Sequence, residues 1–228
     1  MPFDPFIRSR QDLLDAVQQY GFLPLFAGSI PGFSIEERVD PALWYHEGSS
    51  EWKIWEWKGP VIRELGCAYG KFFEKKAAFI SREWFADFAN FRRDGYDFDA
   101  RWDDGLAFRG DRDLYELLAP AAPILSKTLK KRGDYRKGGR SGFETVITRL
   151  QAQGYVLISD FVYERSRDGR EYGWGIAEYS TPEAFFGPAW RESVYQKTPE
   201  ESFRRILRHF QTLLPGAGED KLRRFLKG

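Results

Sequence analysis

A single cysteine, Cys67, in 228 residues excludes an internal disulfide framework and any zinc site built from several thiolates. Two histidines, His46 and His209, are too few for a histidine-built metal centre, so neither a metal nor another cofactor is expected. No apolar run approaches the roughly 18–20 residues that span a bilayer. Met1 to Arg10 holds no apolar core like that of a signal peptide. A cytoplasmic globule without a membrane partner is the expectation. Charge of one sign is also missing: 35 basic against 34 acidic side chains leave a net of +1, which argues against a purely electrostatic binder. Fixed-period repeats and low-complexity linkers are absent. So are G-x-x-x-x-G-K-[ST] and G-x-S-x-G, which removes the phosphate-cradling loop and the nucleophile elbow.

What the chain has is aromatic bulk. Its 20 Phe, 11 Tyr and 8 Trp make 17% of the residues, which excludes a disordered chain. The length suits one large domain or two small ones. Charge is unevenly spread, with residues 1–100 carrying 12 Lys/Arg against 16 Asp/Glu and residues 101–228 carrying 23 against 18. Lys127 to Arg149 is the sharpest excess, with eight basic side chains and two acidic ones, Asp134 and Glu144. Such a segment suits either a solvated helix face or a phosphate-facing patch.

In the first half, Leu13, Leu14 and Val17 predict a helix over Ser9–Tyr20 closed by Gly21. Phe22 to Trp44 reads as mostly irregular. The tryptophan-dense run Glu51 to Lys58 is read as core packing, with a ligand-stacking surface as the alternative. A hairpin across Glu74-Lys75-Lys76 and a helix from Ser81 to about Arg93 follow. The acidic stretch Gly95 to Gly110 is read as a solvated joint between halves 1–105 and 106–228, because it lacks the ordered spacing of a cation loop. Cys67 is read as a small buried hydrophobe and His209 as a surface or boundary residue. His46 is a possible general base without a discernible partner.

The second half has a more telling order. Helices are predicted over Asp111–Leu118, Ile124–Lys131 and from Ser141 to before Gly154, the last opened by a Ser141/Glu144 capping box. Strands Tyr155–Tyr163 and Glu171–Glu178 are joined across an Asp168-Gly169 turn. Thr198-Pro199 opens a fifteen-residue amphipathic helix. Three helices followed by a ribbon with a basic tip is the order of a winged helix-turn-helix, so the expected fold class is α+β. On the third helix, burial of Phe143, Val146, Ile147 and Leu150 turns Thr145, Thr148, Arg149 and Gln151 outward, where they suit base edges and phosphates. Lys137 and Arg140 lie in its Gly-rich approach, a seat for a phosphate. Arg165, Arg167 and Arg170 crowd the wing tip. The candidate nucleic-acid-binding residues are therefore Lys137, Arg140, Thr145, Thr148, Arg149, Arg165, Arg167 and Arg170, with double-stranded DNA as the expected partner.

The segment SGFETVITRLQAQGYVLISDFVYERSRDGREYGWGIAEYSTPE resembles the winged-helix region of the AlkZ-type (YcaQ-like) bacterial DNA glycosylases. The blocks YGFLPLF, PGFSIEE, WEWKGP, YGKFFEKKAAFIS and REWFADFANFRRDGYDFDARWDDGL are similar to the AlkZ-related family of bacterial proteins, over about Asp12 to Leu214. That resemblance implies tandem winged-helix modules, with the first half a degenerate copy, and a place in DNA repair. It also implies a Gln-x-Asp or Gln-x-Gln pair near the first helix that positions the attacking water. Here the corresponding stretch, Gly21 to Leu25 just after Gln18 and Gln19, has leucine and proline instead, so no catalytic residue is carried over. The reading is a DNA-binding relative of those glycosylases without the catalytic pair. Two alternatives stand beside it: an active glycosylase using another carboxylate such as Glu56 or Glu64, with an aromatic wedge from Phe22–Phe33 or Trp52–Trp57, and a non-enzymatic protein-interaction module.

Overall fold

The structure is a computed structural model and describes residues 6–44 and 53–228, together with all but the side chains of Glu171 and Tyr172. His46 and Trp52 lie outside the described residues. Helix α1 (Arg10–Tyr20) opens where the Ser9 hydroxyl accepts the Asp12 N–H at 3.1 Å and closes at Gly21, whose φ of 71° only glycine adopts cheaply. Strand β1 (Phe22–Pro24) and the single turn of α2 (Ile35–Arg38) follow, giving structure to a stretch that its glycines and prolines had marked as irregular. Helix α3 (Lys53–Leu65) then leads into the antiparallel pair β2 (Ala68–Phe73) and β3 (Lys76–Ile80). Their two-residue turn places Glu74 and Lys75 both at positive φ, the mirror-image turn that matches strand twist.

Helix α4 (Arg82–Arg93) and the short α5 (Phe98–Asp103) bridge to the second half. That half runs α6 (Arg109–Leu118), β4 (Ile124–Leu125), α7 (Ser126–Arg132), α8 (Phe143–Ala152), β5 (Leu157–Arg165) and β6 (Glu171–Ser180). Ile124 and Leu125 thus start no helix, as their position before a helical run had suggested, but pair with Tyr179 and Glu178 as a sheet edge. Helices α9 (Pro182–Phe186), α10 (Pro188–Val194), α11 (Pro199–Leu213) and α12 (Glu219–Lys227) complete the chain. The Thr198/Glu201 capping box starts α11.

The two halves share one element order: helix, strand, helix, helix, strand, strand. In each, the first strand pairs antiparallel with the third, Phe22 opposite Ile80 and Ile124 opposite Tyr179. The halves meet where β2 pairs with β5 at Tyr69 and Ile158. The resulting six-stranded sheet reads β1-β3-β2-β5-β6-β4, a palindrome in strand role. Helices α11 and α12 cover the first half, where Phe225 stacks on Phe73 at 4.6 Å between ring centres and Phe210 packs on Phe22 at 5.0 Å.

At the end of α4, Arg93 is 1% exposed, and both of its terminal nitrogens are hydrogen-bonded. It donates to Glu183 Oε1 at 2.8 Å, to Tyr195 Oη at 2.9 Å and to the Gly154 carbonyl at 2.7 Å. Its guanidinium also lies 4.6 Å from the centre of the Tyr155 ring. Gly154 has φ of 77°, and a Cβ there would stand 3.2 Å from the Ala89 backbone, so α4 and the end of α8 touch without a side chain between them.

Two stability outcomes follow from that junction. Arg93→Met leaves Glu183 without its partner and should cost about 3–5 kcal/mol in urea unfolding, whereas Glu183→Gln, which keeps one acceptor, should cost less. Gly154→Ala should cost about 1–2 kcal/mol from the left-handed backbone alone, with the Ala89 contact adding to it.

Candidate nucleic-acid interface

Helix α8 begins one residue later than a Ser141 cap would set it. Its N-cap is Gly142 at φ 84°, and no side chain caps the end. The Glu144 carboxylate that would have closed the capping box is instead held by Lys130 Nζ at 2.9 Å and Lys71 Nζ at 3.6 Å. Burial works against that charge, but the two ammonium groups outweigh it and hold the carboxyl below its ordinary range. Phe143, Ile147 and Leu150 are buried as their spacing predicted. Gln151 is not outward. It is fully buried, donates to the Ile147 carbonyl at 3.1 Å and accepts the Lys71 N–H at 3.0 Å, joining α8 to β2.

The outward face of α8 lines two adjoining concavities. The larger, about 910 Å³, takes Thr145, Thr148 and Arg149 from α8 and faces them with Lys71, Glu74 and Lys75 of the first hairpin. Arg92 and Lys227 also border it, so five cations meet two carboxylates, Glu74 and Glu144. Arg92 is a floor rather than a free charge. Its guanidinium donates to the carbonyls of Phe72 at 2.9 Å, Ala152 at 2.8 Å and Leu226 at 3.1 Å. The smaller concavity, about 390 Å³, gathers Lys130, Arg136, Lys137 and Arg140 around the start of α8 and shares Glu144 and Thr145 with the first. Of the predicted residues, Lys137, Arg140, Thr145, Thr148 and Arg149 are therefore brought together on one face.

Two of those arginines already have anionic partners. Arg149 Nε lies 2.9 and 2.8 Å from the two carboxylate oxygens of Asp111, which is 1% exposed, and its guanidinium lies 4.4 Å from the centre of the exposed Phe108 ring. The hydrogen bonds to Asp111 raise the Arg149 pKa above its ordinary value. Arg140 pairs with Asp113 and lies over Tyr135. Arg149 is thus first a tie between α6 and α8, and only its remaining edge reaches the concavity. Lys75 and Lys137 are exposed and make no ion pair among the described residues.

The hairpin arginines line neither concavity. Arg165 pairs in register with Glu171, and the turn closes through Ser166 N–H to the Arg170 carbonyl at 2.9 Å, with Gly169 at φ 79°. Arg165, Arg167 and Arg170 are exposed around that tip, and Lys127 of α7 braces the strand behind it through Glu164 at 2.8 Å. Sequence reading missed Lys71, Lys75 and Lys227. Their only signal is a cationic hairpin turn and C-terminus far away along the chain, which nothing local connects to α8.

Elsewhere, Gly21 to Leu25 is buried, while Gln18 and Gln19 stand exposed on α1. Cys67 is buried, and burial pushes its thiol up to about 12. His209 is half-buried, stacked on Trp84 at 4.2 Å, with its Nε2 at 2.8 Å from the Tyr20 carbonyl. Asp97 caps α5 by accepting the Ala100 N–H at 2.8 Å. Among the described residues no group of three or more His, Cys, Asp or Glu side chains is placed to hold a metal ion, and no helix is long and apolar enough to cross a membrane.

No curated protein and no solved structure matches the chain. A family model described as AlkZ related matches residues 7–227, from before α1 to the end of α12. Both structural halves and the helices that cover them fall inside that match, and the chain belongs to the AlkZ-related family.

Proposed function

We propose that the protein binds duplex DNA through a winged-helix module in its second half. In this reading α6, α7 and α8 are its three helices, β5 and β6 its wing, and residues 1–105 a second, degenerate copy packed against 106–228. The observation that carries the proposal is the electropositive concavity along α8. There Thr145 and Thr148 stand between lysines of two different elements, the arrangement that lets cations take phosphates while short hydroxyls reach base edges. The wing arginines add a second basic contact, suited to the backbone or the minor groove. The shared element order of the two halves supports the tandem reading.

The proposed role is non-catalytic at the place where AlkZ-type glycosylases carry their polar pair. Here that stretch is core: Leu23 and Leu25 are 1% and 0% exposed, and the neighbouring glutamines face away from it along α1. Glu64 is an exposed carboxylate paired with Arg10 at 3.6 Å. If instead the α8 face meets a protein, affinity should depend little on salt.

Fluorescence anisotropy of a labelled duplex of about 20 base pairs, titrated at about 50 and 200 mM salt, tests this. Binding should be micromolar or tighter at low salt and weaken steeply as salt rises. Lys75→Ala and Lys137→Ala should each flatten the log–log salt slope by about one unit without altering stability, whereas Arg191→Ala, away from both concavities, should leave it unchanged. Absence of binding at low salt would discard the DNA reading.

Arg149→Ala is expected to behave differently from the lysine variants. It strands a buried carboxylate and should cost about 3–5 kcal/mol in urea unfolding, and a second change, Asp111→Asn, should restore more than half of that loss.

A further inference from the structure

A second cavity, about 310 Å³, lies between α3 and the β5–β6 hairpin. Trp55, Phe161, Tyr163 and Trp174 wall it, Glu56 and Lys58 are its ionisable members, and Trp174 is 62% exposed at its mouth. Two glycines set how the elements around it meet. A Cβ on Gly59 would stand 2.9 Å from Asp160 Oδ1, so α3 can approach β5 closely. A Cβ on Gly175 would stand 3.0 Å from the Tyr163 ring, so that residue leaves the strand face open above it.

Lys58 is the anomaly. It is 9% exposed, yet among the described residues it has no ion pair and donates no hydrogen bond. Its Nζ sits 4.4 Å from the centre of the Trp55 ring and 4.2 Å from that of Phe161. Trp55 Nε1 beside it is buried and also without an acceptor. Burial pushes the Lys58 ammonium down to about 8. Near neutral pH the neutral form of such an amine is far more populated than that of an ordinary lysine. The neutral amine is the form that attacks carbonyl carbon.

Where the cavity opens decides which carbonyl. Phe161 and Trp174 lie four and three residues from the last paired positions of the hairpin, Arg165 and Glu171. At about 3.3 Å per residue, the mouth is roughly 10–13 Å from the basic tip. DNA lying along that tip brings its sugars past the mouth, and exposed Trp174 can fill the gap that a displaced nucleotide leaves. We propose that Lys58 condenses with the aldehyde of a ring-opened abasic deoxyribose drawn into this cavity from bound DNA. The inference rests on the duplex-binding reading for its substrate and on the cavity alone for its nucleophile.

The step balances without an oxidant or reductant. The Nζ lone pair forms a bond to C1′ while the carbonyl π pair moves to oxygen, giving a carbinolamine. Both Nζ hydrogens and that oxygen then leave as one water, and a C=N bond remains. Glu56 on the same wall offers a carboxylate for the proton traffic.

Borohydride adds hydride to C1′ of such an imine and makes the link permanent. The test incubates the full chain with a duplex bearing one abasic site, reduces it, and locates the adduct by peptide mass spectrometry. In parallel, glyceraldehyde with cyanoborohydride probes the amine without DNA. The expected result is a DNA adduct on Lys58 and glyceraldehyde labelling of Lys58 at least tenfold faster than of Lys75 or Lys137. Lys58→Arg should lose both while keeping its unfolding temperature and duplex affinity. Lys58→Met serves the same purpose if the arginine does not fit.

Adducts spread over surface lysines and undiminished in Lys58→Arg would overturn the proposal. So would duplex binding with no adduct, which leaves the DNA reading intact. If the duplex does not bind but glyceraldehyde still selects Lys58, the DNA reading and the abasic substrate fall together while the nucleophile stands. No selectivity for Lys58 in either arm removes the nucleophile as well.

Discussion

Arg93 sets the terms for everything around it because a guanidinium with almost no exposed surface must find its anionic and carbonyl partners within the protein. Its donors reach Glu183, Tyr195 and the carbonyl of Gly154, and its plane lies against Tyr155. Those groups come from α9, the end of α10 and the turn that leaves α8, while Arg93 itself ends α4. One buried cation therefore fixes where α4 of the first half stands against α8 of the second. Removing a partner leaves charge stranded in a region of low polarity, so the geometry is enforced by the cost of the alternatives rather than by the net strength of any one bond. Tyr155 and Tyr195 extend the constraint by both donating to the Tyr96 carbonyl, at 3.0 and 3.2 Å, which anchors the segment between α4 and α5.

The palindromic sheet explains why such a junction is needed. Each half contributes three strands to the sheet, and the halves share an edge through β2 and β5, where a single residue pair is in register. A seam that narrow cannot hold two bodies in orientation by strand pairing alone. Gln151 supplies one reinforcement by accepting the Lys71 N–H from inside α8, and Asp160 supplies another through its pair with Arg63. The same closeness creates the chemistry-bearing surfaces. The concavity along α8 exists because the β2–β3 hairpin of one half rises beside a helix of the other, and the aromatic cavity exists because α3 of the first half lies against β5 of the second.

Much of this was legible from local pattern. Helices α1, α4, α8 and α11 announce themselves by apolar spacing and by Ser9, Gly21, Gly154 or Thr198 at their ends, and the β5–β6 hairpin by its Asp-Gly turn. What stayed hidden has one physical character: it depends on partners distant in sequence. Strands β1 and β4 are too short to show a period and exist only because a third strand pairs with them. Arg149 reads as an outward cation until the buried carboxylate of Asp111 is placed beneath it, and Gln151 reads as polar surface until β2 offers it an N–H. Helix α12 was missed for a different reason. Leu222, Phe225 and Leu226 do mark its apolar face, but the face is short and set among charges, and its worth is plain only when Phe73 and Phe33 lie opposite Phe225.

Arg93 and Lys58 together show how the same burial can serve opposite ends. Both are cations withdrawn from water, and both lie over aromatic rings. Around Arg93 the chain supplies a carboxylate, a phenol and a carbonyl, so the charge persists and the group is inert structure. Around Lys58 it supplies two rings and no ion pair, and Gly175 leaves open a space that a larger residue would close. A lysine needed only for packing would be served as well by methionine or leucine, which lose nothing by leaving water. Retaining an amine there, next to a cavity and without an ion pair, carries a desolvation cost that the two rings offset only in part. The group that would offset the rest is one that enters the cavity, which is why the aromatic pocket, rather than the broader basic groove, is where chemistry on this scaffold is most sharply posed.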